Sequence, residues 1–149
     1  MDLVGATALV GVLVLATGAG LVLRARDGRV RPGRPPRAGT GRGRATGGWA
    51  LAGRAPGPAE RVLLLQLSSP VCTPCRRTAD LLDGLHARRP EIVHREVDVA
   101  ERPDVARALD VLRTPTVVAF DRAGTELLRV SGVPRVADLE AALTPALTA

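Results

Sequence analysis

Two cysteines, Cys72 and Cys75, are the residues of this 149-residue chain best suited to chemistry, and they are its only cysteines. They follow an apolar run of strand length, residues 63–67, and a break at Ser68-Ser69-Pro70. A pattern of helical period starts directly after them, so both should lie at a helix start. Unpaired N–H groups and the helix dipole there stabilise a thiolate. We therefore expect Cys72 to be the attacking sulfur and Cys75, one turn further in, to resolve a mixed disulfide.

Two other interpretations of the cysteine pair stay open. A structural disulfide across a two-residue gap would add little stability, because the stabilisation grows with the length of the closed loop. A zinc ion takes about four ligands, and this pair supplies two. His86 and His94 are the only histidines and do not form a second pair, so zinc would need ligands from another chain. We expect no metal.

Segments of alternating strand and helix character surround the cysteines. Pro74 suits the first turn of the helix, where its missing N–H would be unpaired in any case. The hydrophobic pattern predicts an order of strand, helix, strand, helix, strand, strand, helix. The predicted ranges are 61–67, 72–88, 92–99, 103–109, 115–121 and 125–130, with a last helix opened by Pro134. Such an order predicts an α/β domain, a mixed sheet with helices on both faces.

The motifs of this region resemble those of the thioredoxin family. Cys72-Thr73-Pro74-Cys75 after a buried strand resembles its active site, with Thr73 and Pro74 as the spacer. Thr114-Pro115, with Pro115 43 residues after Cys72, resembles its cis-proline loop, and Gly132 resembles the glycine ending the last strand. The resemblance covers about residues 60–145. It implies a pared-down thioredoxin-like fold with a mixed four-stranded sheet, since no N-terminal strand and helix are visible before it.

The resemblance also implies roles for the proline loop. The cis peptide before Pro115 would place the backbone of Thr114 beside the sulfurs, where it would pair with a substrate strand. The proline would also exclude metal. The redox-active disulfide Cys72–Cys75 would be the only redox group, with no added cofactor. An ordinary turn is the alternative interpretation of Thr114-Pro115.

Three residues depart from the family pattern. Val71 stands where tryptophan is usual, and Asp80 stands where the active-site helix usually has a kinking proline. Gln66 stands where a buried aspartate usually handles protons for the resolving cysteine, and an amide cannot carry a proton as a carboxylate does. Glu96, on the neighbouring predicted strand, would substitute if its side chain faces inward. The alternative is a carboxylate that faces solvent.

The N-terminal segment Leu3–Leu23 contains no ionisable side chain. At about 1.5 Å per residue, its length matches a bilayer core of roughly 30 Å. A secretory signal peptide is the main alternative, but it would have a positively charged start and a shorter apolar core. We therefore expect a single transmembrane anchor over residues 1–23.

Residues 24–58 have a different composition, with nine arginines and one acidic residue, Asp27. Glycine and proline are also frequent, so the segment has little apolar surface to bury and should be a flexible linker. Its arginines should contact anionic lipid head groups. Basic residues next to a span usually stay in the cytoplasm, which predicts that residues 59–149, the dithiol domain, are cytoplasmic. An extracytoplasmic domain is the alternative.

The folded domain is close to neutral, because the twelve arginines from residue 59 onward face thirteen acidic residues. Without a basic face, a nucleic-acid role is not expected. The sequence thus predicts a membrane-tethered oxidoreductase that reduces disulfides of partner proteins, supplied by an unidentified electron donor. The alternatives are an extracytoplasmic protein of cytochrome maturation or disulfide handling, and a non-enzymatic adaptor or thiol sensor.

Overall fold

The computed structural model of the protein describes residues 3–33 and 47–148. In chain order the elements are α1 (Leu3–Arg26), β1 (Val30–Pro32), α2 (Gly48–Leu51), β2 (Val62–Ser68), α3 (Thr73–Arg88), β3 (Ile92–Asp98), α4 (Pro103–Ala108), β4 (Thr116–Phe120), β5 (Glu126–Ser131) and α5 (Val136–Thr148). Every strand and helix predicted from residue 61 onward is present, with ends that differ by one or two residues.

The strands form one mixed sheet in the order β1-β5-β4-β2-β3. β2 and β3 are parallel, joined by α3, while β4 pairs antiparallel with both β2 and β5. We call the end of the sheet where β2 finishes and β4 begins the site end. This arrangement confirms the predicted α/β class with a thioredoxin-like sheet, in which β2 lies between β4 and the edge strand β3.

The sheet separates two apolar cores. Successive side chains of a strand point to opposite faces. Because both faces are covered here, every residue of β2 is buried. One face packs against α3 and α5, with Leu64, Leu82 and Leu139 among its buried residues. The other packs against α2 and α4 and includes Trp49 and Val105. α3 is therefore held against the sheet by Leu82 and Leu85, which fixes its N-terminus at the site end.

The sheet has five strands within the described residues, where four were predicted. The extra strand, β1, pairs antiparallel with β5 through Val30↔Val130 and Pro32↔Leu128. Val30 packs against the core on the α3 and α5 side, while Arg31 and Pro32 are exposed. The backbone pairing with β5 leaves no hydrophobic pattern in the sequence. Proline is tolerated there because β1 is an edge strand.

The described parts of residues 24–58 also differ from the predicted flexible linker. α1 continues to Arg26, and β1 joins the sheet after three residues. α2 lies on the domain with Trp49 and Leu51 buried, because their apolar surface covers the sheet next to Phe120. Residues 34–46 of the predicted linker lie outside the described residues.

α1 is long and apolar enough to cross a membrane. Its window Thr7–Ala25 has a mean hydropathy of 2.0, and none of that window is buried against the protein. Side chains such as Leu15 are 75% exposed. The domain therefore does not cover this helix, although a signal sequence would pass the same test of length and composition.

Candidate active site

The two cysteines lie at the junction of β2 and α3. Cys72 is the N-cap of α3, and its Sγ accepts a hydrogen bond from the backbone N–H of Cys75 at 3.2 Å. The two residues form a disulfide in this structure. Cys72 is partly exposed, whereas Cys75 is 1% exposed. A partner can therefore reach the first sulfur and not the second.

The first turn of α3 is built by local sequence. Pro74 lies within it, as predicted, and the hydroxyl of Thr78 donates to the carbonyl of Pro74 at 2.9 Å. Thr73 is exposed beside the disulfide. Asp80, in the place of the usual kinking proline, is exposed about two turns after Thr73.

The proline loop lies next to the cysteines at the site end. The Thr114–Pro115 peptide is cis, as predicted. The carbonyl of Pro115 accepts from the N–H of Gly132 at 2.8 Å, which fixes the loop to the end of β5. The hydroxyls of Ser69 and Thr114 are 3.5 Å apart and join the cysteine loop to the proline loop. The structure thus brings Thr114 and Pro115 together with the cysteine loop.

Gln66 is a buried amide behind Cys75. Its Nε2 donates to the carbonyl of Cys75 and to Oε1 of Glu96, both at 3.0 Å. Both neighbours are acceptors, which fixes the orientation of the amide. Burial of an unpaired amide is costly, so these bonds explain how Gln66 fits in an otherwise apolar strand. Among the described residues, its Oε1 has no hydrogen-bond partner.

Glu96 lies beside the dithiol although it is exposed to solvent. It is paired in register with Gln66 on the adjacent strand. A groove at the site end is lined by Cys72, Cys75 and Glu96, together with Arg76 and a short set of polar neighbours, Ser68, Ser69, Asp98 and Glu101. Glu96 is thus both solvent-exposed and in hydrogen-bond contact with the residue behind Cys75.

The two histidines are placed away from this groove. Nδ1 of His86 lies 2.6 Å from the carbonyl of Ile92, and Nδ1 of His94 lies 2.7 Å from Oδ1 of Asp83. Within residues 3–33 and 47–148, no three His, Cys, Asp or Glu side chains come together as metal ligands.

A sequence model of the family described as Thioredoxin matches residues 57–145, more than half of the chain. The chain belongs to the thioredoxin family. It is 40% identical over 72 residues to "Thioredoxin H5" of Oryza sativa subsp. japonica, a match that covers 48% of this chain and 53% of that protein. It is 31% identical over 72 residues to "Putative thioredoxin H10" of Arabidopsis thaliana, covering 48% and 46%. The chain thus spans about half the length of the curated relatives it matches.

Solved thioredoxin structures share the fold of this thioredoxin-family chain. A thioredoxin from Fasciola hepatica superimposes with a TM-score of 0.52 at 27% identity, covering 59% of this chain and 84% of that one. A mutant thioredoxin from Halobacterium salinarum NRC-1 gives 0.54 at 24% identity, covering 59% and 76%. The second likeness, at that identity, bears on the fold alone.

Two contacts of this thioredoxin-type site were not predicted. One is the pairing of Ser69 with Thr114, and the other is the ion pair between Arg113 and Asp27 at 2.8 Å. Ser69 and Arg113 are sequence neighbours of the two motifs, which is a weak signal. Asp27 is a stronger signal for an ion pair, because it is the only acidic residue in the strongly basic segment of residues 24–58.

Proposed function

We propose that this protein is a membrane-tethered thiol–disulfide oxidoreductase that reduces disulfides of partner proteins. The observation that carries the proposal is the placement of the pair, with partly exposed Cys72 at the N-cap of α3 and buried Cys75 behind it. A thiolate at Cys72 would accept the N–H of Cys75, which now bonds to the same sulfur. The dipole of α3 would stabilise it further.

The reaction takes place in two exchanges. The thiolate of Cys72 attacks one sulfur of the partner's disulfide, and the other partner sulfur leaves as a thiolate that takes up a proton. The thiol of Cys75 then loses its proton and attacks Sγ of Cys72, which releases the second partner sulfur. The partner gains two electrons, and the Cys72–Cys75 disulfide forms. A dithiol donor returns the two electrons for the next cycle.

Thr114 and Pro115 would position the partner. The cis peptide presents the backbone of Thr114 at the site end, next to the cysteine loop. An extended partner segment bonded to that backbone would be held with its disulfide over Cys72. Thr73 and Pro74 would shape the surface between the two sulfurs. Neither spacer residue exchanges electrons or protons in this scheme.

Glu96 would take up the proton of Cys75 during the second exchange. Gln66 cannot accept that proton, but it bonds both to the Cys75 carbonyl and to the Glu96 carboxylate. In this arrangement Gln66 positions the carboxylate, and a water molecule in the groove would carry the proton. The solvent access of Glu96 returns the proton to bulk water after each turnover.

α1 would hold the protein in a membrane. The fully exposed apolar window of 19 residues supports this, because such a surface is unfavourable in water. Arg24 lies at the end of the window, and Arg26, Arg29 and Arg31 follow it, a distribution that favours a cytoplasmic domain. In the cytoplasm thiols are kept reduced, which favours action as a reductase.

Sidedness has a direct test. Cys72 is reduced in intact cells and exposed to a membrane-impermeant maleimide before or after lysis. Labelling only after lysis is expected. Strong labelling of intact cells would move the domain to the outer side and its chemistry to extracytoplasmic disulfide handling.

The proposed activity is tested with the full-length protein in detergent and insulin as the disulfide substrate, with dithiothreitol as donor. The wild-type protein should reduce insulin well above the dithiothreitol background. Cys72→Ser should return the rate to background, while Leu112→Ala, which changes an exposed side chain nearby, should keep most of it. A wild-type rate equal to background, with insulin and with a small free disulfide alike, would contradict the activity and favour an adaptor.

A further inference from the structure

We propose that the dithiol faces the membrane, and that its partner is an integral membrane protein whose disulfide lies within about 20 Å of the bilayer surface. The inference rests on the proposed anchoring and thiol chemistry. It goes beyond them because it selects a class of partner. It does not depend on which side of the membrane the domain occupies.

The helix and the domain are joined by a short, fixed junction. α1 ends at Arg26 and β1 begins at Val30. Between them, the N–H of the buried Gly28 donates to the carbonyl of Ser131 at 2.7 Å. Gly28 has φ +73°, and a Cβ there would clash with the carbonyl oxygen of Val133. Only glycine fits this turn, so the domain is docked on the end of α1.

The junction lies at the site end of the sheet. β1 runs antiparallel to β5 and starts opposite Val130, near the end of that strand. Ser131, the last residue of β5, is paired with Thr116, the first residue of β4, and Thr116 is paired with Leu67 near the end of β2. The end of α1 and the start of α3 are therefore at the same end of the sheet.

Direct contacts connect the end of α1 to Cys72. Oδ1 of Asp27 lies 2.8 Å from Nη1 of Arg113, next to the proline loop. Thr114 in turn contacts Ser69, whose carbonyl accepts from the N–H of Cys72 at 3.1 Å. Three strand spacings separate β1 from β2, a lateral distance of about 14 Å. Asp27 follows the apolar window Thr7–Ala25 by two residues, so these loops must lie close to the lipid head groups.

The side chains of these loops suit a membrane surface. Val71 is 91% exposed and Leu112 is 97% exposed, and they are the large hydrophobic side chains exposed within residues 47–148. One precedes Cys72 and the other precedes Arg113. Arg76 and Arg77 are exposed at the same end, where Arg113 is paired with Asp27 and the groove holds the carboxylates of Glu96, Asp98 and Glu101. Apolar side chains mixed with arginines are favourable at the head-group level of a bilayer.

This placement selects the partner by geometry. A folded soluble protein would have to enter the gap between the site end and the bilayer to reach Cys72. A disulfide just outside a transmembrane segment already lies at that level and diffuses in the same plane. Confinement to one plane also raises its effective concentration without any new contact.

The orientation is tested first without redox chemistry. Full-length Cys72→Ser/Cys75→Ser protein is placed in vesicles and carries one fluorescent label, either at Leu112→Cys or at Ala123→Cys. Ala123 is exposed in the turn at the opposite end of the sheet. Lipids with a quencher on the head group should quench the label at 112 at least threefold more than the label at 123. Equal or reversed quenching would overturn the proposal.

The choice of partner is tested with a disulfide attached to lipid. Pre-reduced full-length protein in vesicles reacts with a pyridyl disulfide on a lipid spacer of about 10 Å, on one of about 60 Å, or free in solution. The disulfide on the short spacer should be reduced at least as fast as the disulfide on the long spacer. A variant carries a flexible insertion of about 24 Gly and Ser residues between Arg26 and Asp27, with an end-to-end distance near 27 Å. In this variant the reduction of the short-spacer disulfide should slow at least threefold. The rate of reduction of the free disulfide should not change.

The outcomes separate the two levels of the proposal. Failure to reduce even the free disulfide would contradict the oxidoreductase function, and the quenching result would still decide the orientation. Normal reduction of the free disulfide, with the short spacer slower than the long one, would overturn the membrane-facing site while leaving the chemistry intact.

Discussion

Gln66 and Glu96 form a buried-to-exposed pair behind the disulfide, with Nε2 of Gln66 donating to Oε1 of Glu96 at 3.0 Å. The same amide nitrogen donates to the carbonyl of Cys75. The chain thus lacks the buried carboxylate usual in its family but holds another carboxylate one strand away. The group that takes up the proton of Cys75 should therefore be Glu96 on β3, because Gln66 on β2 cannot accept it.

Glu96→Gln should slow the second exchange, the release of the partner from Cys72. We expect a decrease of about three- to tenfold, smaller than the 10²–10⁴ range of general acid–base catalysis because water also reaches the groove. The measurement is the single-turnover decay of the mixed disulfide as a function of pH. The free energy of unfolding should change by less than about 0.5 kcal/mol.

Glu101→Gln is the matched control for that variant, because it removes the same charge from the same groove. Its rate of mixed-disulfide decay should stay within about twofold of the wild type. Equal slowing by both variants would assign the effect to groove charge alone. An unchanged rate in Glu96→Gln would contradict a role for Glu96 in proton transfer.

Trp49→Ala should destabilise the domain, because Trp49 is 4% exposed and its Nε1 donates to the carbonyl of Asp121 at 2.7 Å. We expect a loss of about 3–5 kcal/mol in the free energy of unfolding. Urea unfolding of the full-length protein in detergent, followed by circular dichroism, measures it. Trp49→Phe should lose less, since most of the packing stays. A loss below about 1 kcal/mol in Trp49→Ala would place α2 outside the folded domain.

Glu60 gives the stability a pH dependence. A hydrogen bond from the backbone N–H of Gly57, and then the contact with Arg54, lower the pKa of its carboxyl group. The unfolded chain therefore binds the proton more readily. The stabilisation is complete above the unfolded carboxyl value, about 4.3, and is lost as the pH falls through the lower folded value.

Glu60→Gln should remove this contribution. Above about pH 5 the variant should unfold more easily than the wild type, and the difference should shrink as the pH falls below about 4. Unfolding by urea at several pH values measures it, with the exposed Glu101→Gln as control. A difference that does not change with pH would contradict this role of Glu60.

Val12→Arg should weaken membrane insertion, because Val12 lies within the apolar window of α1. An arginine near the middle of a span costs about 2.5–3.5 kcal/mol on insertion scales. The measured quantity is the fraction of intact protein kept in membranes through a carbonate wash. Val12→Leu should behave as wild type. Recovery of the intact wild-type protein in the soluble fraction would argue against a span.

The sequence predicted the strands and helices that are held in place by their own buried apolar side chains. The apolar run of β2 and the helical spacing of Leu82 and Leu85 each report burial directly. The cysteines and Pro115 could be placed because both motifs lie at strand ends, and strand order brings such ends together.

The remaining features depend on backbone contacts or distant partners. β1 is held by a ladder to β5, so Arg31 and Pro32 give no sign of it. Trp49 is buried only because Asp121 and Phe120, far along the chain, form its surroundings. The bond between Gln66 and Glu96 requires the parallel register of two strands, which the sequence of either strand alone does not fix.

The assignment of Cys72 as the attacking sulfur is tested most directly by trapping. Reduced full-length Cys75→Ser and Cys72→Ser proteins are each mixed with a disulfide substrate, and the cross-linked cysteine is identified by peptide mass spectrometry. Cys75→Ser should accumulate a mixed disulfide on Cys72, since the resolving sulfur is missing, while Cys72→Ser should form almost none because Cys75 is buried. Rapid adduct formation on Cys75, or undiminished turnover in Cys72→Ser, would contradict the account.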